Sequence, residues 1–442
     1  MAMAGRVDLS QVDKIIKQTY PEDGVTKAIL FQNVLFELMT KGRGTSMNDR
    51  YDGQLKKIVL FSQFATQGGF GMADASGNLP YANSDAVDQN FQFGVPAYHS
   101  VLELSERLLH DSSLDVAVNV AKRQMDDAIL NNSTFFNVAL NGKGDGLLAA
   151  VTGAQGTILE SGTTWKYTIP VDETSFVPMG QLFDIYSAAG VRLAAGAKLI
   201  GSDVRFGAGT VSVQCRAQLT GVVSGDKFYI QNAKGQADLL MGLDSIVSDT
   251  ELWPATATAP LDRTDDANIM YRSQVIDAAT AGAADTLTLF DRVMTALRIV
   301  GGRLAPAEIA GDKAAAARKE LSFAVMDPFV HLQLDIEARQ YRRYNEYTID
   351  DVGVKTSTIN GVPILDEPLM KKEAKLLQLD DFRYFLDNFY WMPGTDGIWL
   401  RKSGTTTMEA VGRILIQIHC VSPWRQGKIS NIATPQALRP GE

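Results

Sequence analysis

The sequence predicts an α+β chain of more than one module, and three observations carry that expectation. Leu114, Val118, Ala121, Met125, Ala128, Asn132, Phe135 and Ala139 recur every three or four residues, which is one face of a long α-helix. Residues 180–245 hold short strand-like runs separated by turn residues. Residues 382–422 alternate as a strand meander and end in the apolar run 413–421. At 442 residues the chain exceeds the size at which one core stops growing, roughly 250–300 residues, so two or three modules are expected.

The long helix organises the rest. Asp111, Ser112 or Ser113 can cap its start, and Asp115 favours its first turn. Gly142, Gly144 and Gly146 end it where the backbone must leave the helical region. Roughly 28 residues at ~1.5 Å each give a rod of about 40 Å. That is more than twice the usual helix, so it must lie along something equally long.

Composition narrows the class. Hydrophobic residues make up 45% and charged residues 21%, ordinary values for a folded soluble protein. The net charge of −9 argues against a surface that grips nucleic acid, but not against enclosing nucleic acid without gripping it. Two cysteines, Cys215 and Cys420, are no disulfide framework in a chain this long, which points to a reducing compartment. No apolar run approaches ~20 residues and the first ten residues lack a signal-peptide core, so a soluble, intracellularly made protein with no membrane partner is expected.

Residues 1–55 do not read as a compact core. A short polar helix over 8–18 is broken at Pro21, and Ile29 or Leu30, Val34 and Leu38 follow at helical spacing before Gly42 and Gly44. They form either an ordinary core helix or an arm that packs on a neighbouring subunit. Residues 56–104 are the most unusual stretch. Apolar flanks at 56–61 and 98–104 enclose a segment rich in Gly, Asn, Ser and isolated aromatics. No Lys or Arg occurs from Ile58 to Glu106, and Asp74, Asp85 and Asp88 are the only charges between Phe61 and Glu103. Two ~17-residue arms at ~3.3 Å per residue reach roughly 55 Å. A hairpin that long with no hydrophobic face needs a partner, unless the stretch is a long disordered loop.

Residues 147–178 are sparse in signals. The strand candidates that follow are 191–193, 198–200, 210–215, 227–231 and 237–241, a small barrel or sandwich. Residues 250–285 read as a connector. Leu289, Val293, Leu297 and Val300 mark a helix ending at Gly301-Gly302, 321–326 a buried strand, and Asp327-Pro328 the capped start of another helix running to about Ala338. Residues 359–365 and 374–379 read as buried strands.

No catalytic constellation emerges. His99, His110, His331 and His419 show no metal-ligand spacing and no HExxH pattern. His419-Cys420 lies in an apolar strand and reads as a core pair. The GKGDG run at 142–146 follows a helix instead of preceding one, so it is a helix end and not a phosphate cradle. Asp265-Asp266, Asp350-Asp351 and Arg342-Arg343 read as solvated or interface faces. No GxSxG elbow or Walker sequence appears. Catalytic, cofactor-binding and metal-binding residues are therefore expected to number none.

The order of arm, long aromatic hairpin, long helix with a glycine-rich end, then helix and strand units resembles the major capsid proteins of tailed bacteriophages, with the Hong Kong ninety-seven phage shell fold. The stretch VLELSERLLHDSSLDVAVNVAKRQMDDAILNNSTFFNVALNGKGDG at 101–146 is similar to the family's strand, spine helix and glycine loop. FAVMDPFVHLQLD at 323–335 and TINGVPILDEPLM at 358–370 resemble its axial domain. The resemblance covers roughly 25–165 and 240–432.

It implies an N-terminal arm at 1–55, and an extended loop with flanking peripheral-domain strands at 56–104. The spine helix and peripheral domain would fill 105–178, with an inserted β-domain at 179–245. An axial domain returning to the peripheral domain would span 246–420, with a C-terminal segment at 421–442. The spine helix would pack on a sheet formed by the flanks at 56–61 and 98–104 with help from the C-terminal region, and Gly68-Gly69 and Gly94 would be hinges.

It also implies a non-enzymatic shell of hexamers and pentamers, without cofactors, enclosing double-stranded DNA without sequence-specific binding. Expected partners are further copies of the chain, portal and scaffolding proteins, and a decoration protein on the inserted domain. The expected location is the virion, after assembly in the host bacterial cytoplasm. With no long scaffolding segment expected before the arm, that role is expected to fall to a separate protein, a removed segment, or nothing. Arg339, Arg342, Arg343, Lys371, Lys372 and Lys375 are candidate partners for the loop aspartates. Some family members lock the shell through a loop lysine, which this loop lacks. An encapsulin-type nanocompartment, or a large soluble hydrolase, are the alternatives.

Overall fold

The computed structural model describes residues 8–433 apart from 32, 41–43, 49–50, 53–56, 64–87, 112, 162–163, 173–181, 203–208, 216–217, 220, 235–238, 253–259, 283–284, 305–322, 341–343, 350–353, 360–361, 371, 395–396 and 402–405. Its axis is the 28-residue helix Leu114–Asn141, preceded by Ser113 in extended conformation. Gly142 closes the helix by donating its backbone N–H to Val138, and Gly144 and Gly146, at φ 83° and 74°, turn the chain away. Ala117, Val118, Ala121 and Met125 are buried along one stripe.

That stripe lies on a five-stranded sheet centred on Thr407–Cys420. One edge of the central strand pairs antiparallel with Ala97–Ser105, and the other with Phe382–Trp391 and Trp399–Arg401. Thr45–Ser46 adds a parallel strand beside Phe382–Trp391. Gly412 is required in the central strand, because a Cβ there would sit 2.0 Å from Cζ of Phe389.

The N-terminal helices Leu9–Thr19 and Glu22–Leu30 flank this helix. Leu9, Val12, Ile16, Val25, Ile29 and Leu30 are buried in the main core, and Phe36 meets Phe136 edge-on at 5.1 Å. The hydroxyl of Thr26 accepts from the Phe389 backbone N–H at 2.8 Å, which ties these helices to the sheet as well. Of the two readings of this stretch, an ordinary core helix or an arm on a neighbour, residues 9–39 take the first and complete the main core. The stripe Leu9, Val12, Ile16 is too short to stand alone, but it docks on a helix already held by a sheet.

The β-unit expected at 179–245 begins earlier, at Leu147. Leu147–Ala150, Gly156–Ser161, Thr164–Val171, Leu182–Tyr186, Arg192–Ser202, Gly209–Cys215 and Lys227–Ile230 form one seven-stranded sheet. Thr152 donates to Pro170, and Asp172 to Ala150, so six of the strands close on themselves as a barrel. Tyr167, Ile169, Val171, Phe183, Ile185, Ala197, Leu199, Val211, Val213 and Phe228 fill it with period-two alternation. Of the candidate strand 237–241, Leu240 and Met241 belong to the main core instead.

The axial unit is a second seven-stranded sheet. Its order runs Gln274–Asp277, Gly427–Ser430, Ala374–Leu377, Phe323–Met326, Val362–Asp366, Val354–Ile359, Tyr344–Ile349. Helices Thr286–Leu304 and Pro328–Gln340 supply Leu289, Phe290, Val293, Leu297, Val330, Leu334 and Ala338 to its core. Three expectations are corrected here. The first helix runs through Gly301-Gly302, the connector at 250–285 contributes a strand, and the C-terminal segment returns to the axial sheet at Gly427–Ser430.

Candidate assembly surface

A two-stranded ribbon is made by Lys57–Gln63 and Asp88–Gly94, paired antiparallel in continuous register from Lys57↔Gly94 to Gln63↔Asp88. Tyr51–Asp52 adds a third short strand. The flank at 56–61 was expected in the sheet under the spine helix. It forms this separate ribbon instead, while the flank at 98–104 does join the spine sheet.

The root of the ribbon is fixed by packing. Ile58, Phe93 and Val95 bury against Met47, Tyr271, Phe385 and Leu415. Phe93 also stacks on the His419 ring at 5.1 Å. The fully buried Gln417 amide joins three segments there. Its Nε2 donates to the carbonyls of Gly94 at 2.9 Å and Leu239 at 3.0 Å, and its Oε1 accepts from the Met241 N–H at 2.8 Å. Gly94, expected as a hinge, is therefore pinned on both sides. Gly68-Gly69, Asp74 and Asp85 lie outside the described residues, as do Arg342, Arg343, Lys371 and Asp350-Asp351.

The histidine and cysteine candidates fall in cores, at strand surfaces or on helices. Burial, then Arg383 and Arg263, lower the His419 pKa to about 3, so the ring is neutral. Burial pushes the Cys420 thiol up strongly and the Cys215 thiol up to about 11, in the spine sheet and the barrel wall respectively. His99 is lowered by burial and Arg413, and His110 ends the short helix Glu106–Asp111. His331 lies between Asp366 and Asp335, at 2.5 and 3.5 Å. Asp266 meets Arg272 at 3.4 Å on an exposed face. Among the described residues no three His, Cys, Asp or Glu side chains gather as a metal site.

Lys375 is no surface partner for the loop aspartates. It is buried, and its ammonium lies 2.7 Å from Asp244 and donates to the Asn141 backbone carbonyl at 3.2 Å. Lys428 reaches Asp244 at 2.9 Å and Glu373 at 2.8 Å. Burial opposes charge on Asp244, but the two ammonium groups outweigh it and hold the carboxyl well below its usual range. This cluster joins the C-terminal end of the spine helix, the turn Leu243–Ile246 and the axial sheet. No local signal marks it, because Asp244, Lys375 and Lys428 are far apart in the chain.

One edge protection also escaped sequence reading. Gln124, on the spine helix, accepts from the Glu103 N–H at 2.9 Å and donates to the Glu103 carbonyl at 2.8 Å. The side-chain amide takes the place of a neighbouring strand on the outer edge of Ala97–Ser105.

No family model and no curated protein matches the sequence. Solved structures similar to the chain include the capsid of cyanophage A-1(L), at 11% identity and a TM-score of 0.46, covering 88% of this chain and 92% of that one. The major capsid protein of phage G, solved with its decoration protein, is similar at 7% identity and a TM-score of 0.35, covering 88% of each chain. The SrpI encapsulin complex of Synechococcus elongatus is similar at 7% identity and a TM-score of 0.39, covering 85% of this chain and 82% of that one.

Proposed function

We propose that the chain is the major capsid protein of a tailed phage, forming hexamers and pentamers of an icosahedral shell around double-stranded DNA. The observation that carries this reading is the ribbon Lys57–Gln63 with Asp88–Gly94. Its pinned root packs on the sheet that carries a 28-residue helix on its other face, and the same chain builds an α/β axial unit. This is the order of parts the resemblance calls for. A rigid root is what a subunit needs if its projecting hairpin is to grip a neighbour.

Self-association buries well over ~2,000 Å² per subunit, in the obligate class. The shell encloses DNA without reading its sequence, as the net charge of −9 favours. Portal and scaffolding proteins act in assembly, the barrel receives a decoration protein, and the shell is built in the bacterial cytoplasm. No catalytic activity belongs to it.

The test is imaging of particles made from the full-length chain, with analysis of their contents. Closed shells that protect DNA in a phage-infected cell support the reading. Shells loaded with enzyme cargo and no DNA point to a nanocompartment. A homogeneous monomer at all concentrations refutes both.

A further inference from the structure

The spine helix carries a second periodic stripe besides its buried one. Val116, Val120, Arg123, Asp127, Leu130 and Thr134 follow one another at alternating spacings of four and three residues. That is the seam along which one helix packs on another. Val116 and Leu130 are 45% and 58% exposed, Arg123 and Asp127 are exposed, and Val120 and Thr134 are half-buried. The chain's own contacts use other sides of the helix. Ala117, Ala121 and Met125 are buried, and Gln124 holds the strand edge at Glu103. The Tyr20 hydroxyl, between the two N-terminal helices, donates to Asp126 at 2.6 Å. The stripe Val116 to Thr134 stays open among the described residues.

The order of residue types along the stripe says what fits it. Laid antiparallel on itself about a twofold axis level with Met125, Arg123 of each copy meets Asp127 of the other. In the same register Val120 of each copy meets Leu130 of the other, and Val116 meets the methyl group of Thr134. Parallel pairing instead sets Arg123 on Arg123 and Asp127 on Asp127, which repel. Charge therefore selects the antiparallel arrangement. The seam is about 27 Å long. One helix crossing falls short of the roughly 1,000 Å² that a stable interface buries, so it works beside other contacts.

We propose that this stripe is a self-contact, packing antiparallel on the same stripe of a second copy of the chain about a twofold axis near Met125. The second copy rests on the shell reading, and the twofold contact is an addition to it. A ring contact joins two different surfaces, whereas this one joins a surface to itself, so it links subunits of neighbouring rings.

Disulfide trapping in assembled full-length protein tests this, because Cys215 and Cys420 are both buried. Val120→Cys/Leu130→Cys should give disulfide-linked dimers under mild oxidation, and neither single variant should. The two positions lie about 15 Å apart on one helix, too far for a bond within a chain. Charge exchange gives a second readout. Arg123→Asp should lower the assembled fraction several-fold in sedimentation, and Arg123→Asp/Asp127→Arg should restore it, with unchanged circular dichroism throughout. Particles that form without the trapped dimer overturn the contact and leave the shell reading standing. Single variants that link to themselves overturn the antiparallel register, and failure of the exchanged pair to restore assembly overturns the charge pairing. A chain that stays monomeric under all conditions overturns both the contact and the shell.

Discussion

His331 is held between two carboxylates on the axial unit, and that arrangement sets a pH dependence. Burial alone would lower its pKa, but hydrogen bonds to Asp335 and Asp366 outweigh burial and raise it to about 9. A folded-state pKa above the unfolded value of 6.5 adds stability that is complete below pH 6.5 and is lost as pH rises through 9. The contribution is about 1–3 kcal/mol, reduced by solvent around the half-exposed Asp366. Thermal unfolding of His331→Gln between pH 6 and 10 should show a flatter profile than the parent chain. An unchanged slope would mean that the carboxylates do not hold the proton. Lys375 makes a second test at this scale. Lys375→Met leaves Asp244 with Lys428 as its remaining ammonium partner, and the loss of a buried partner costs about 3 kcal/mol. The midpoint of denaturant unfolding reads it, and a shift within error would show the cluster to be solvated. Neither site was legible in the sequence. His331 and Asp366 lie 35 positions apart and Lys375 and Asp244 further still, and only tertiary packing brings such groups together.

The elements divide by how local their signals are. The spine helix was legible because a stripe repeated over 28 residues leaves no other fit, and its glycine end was visible in the same way. The first barrel strands were missed. Tyr167, Ile169 and Val171 do alternate with Lys166, Thr168 and Pro170, but the proline and the polar surroundings mask the period. The N-terminal helices were seen as helices, yet no local pattern says whose surface covers a short stripe. Barrel closure changes what a deletion should remove. Gly146 accepts from the Ile230 N–H at 2.8 Å, so the two ends of the barrel are adjacent. Replacing residues 147–230 with a short linker should leave a folded body, whereas removing only 182–241 would strip the strands at 147–171 of their partners. Circular dichroism and proteolysis of the two deletions check this. A folded second deletion, or an unfolded first one, would contradict the barrel as an independent unit. At the sheet edge, Gln124→Ala removes two hydrogen bonds to Glu103 and should cost about 1–2 kcal/mol. Slower unfolding of that variant would be the wrong sign.

For the whole molecule, the described body is built from one chain, and the proposed function gives the ribbon a neighbouring copy to pack on. The N-terminal helices, spine helix and sheet share one core, the barrel and axial unit have their own, and the ribbon strands Lys57–Gln63 and Asp88–Gly94 are anchored through Ile58 and Phe93. From Ile58 to Glu106 there is no lysine to supply an amine for a covalent lock to a neighbour. Particles boiled in detergent should therefore run as one band near the 48.1 kDa chain mass, and a ladder of multimers would show otherwise. The most direct measurement is sedimentation velocity of the purified full-length chain across protein concentration and salt. The expected result is a discrete fast-sedimenting species of many subunits that is replaced by a slow one only under dissociating conditions. A single species at the monomer mass under all conditions would contradict it.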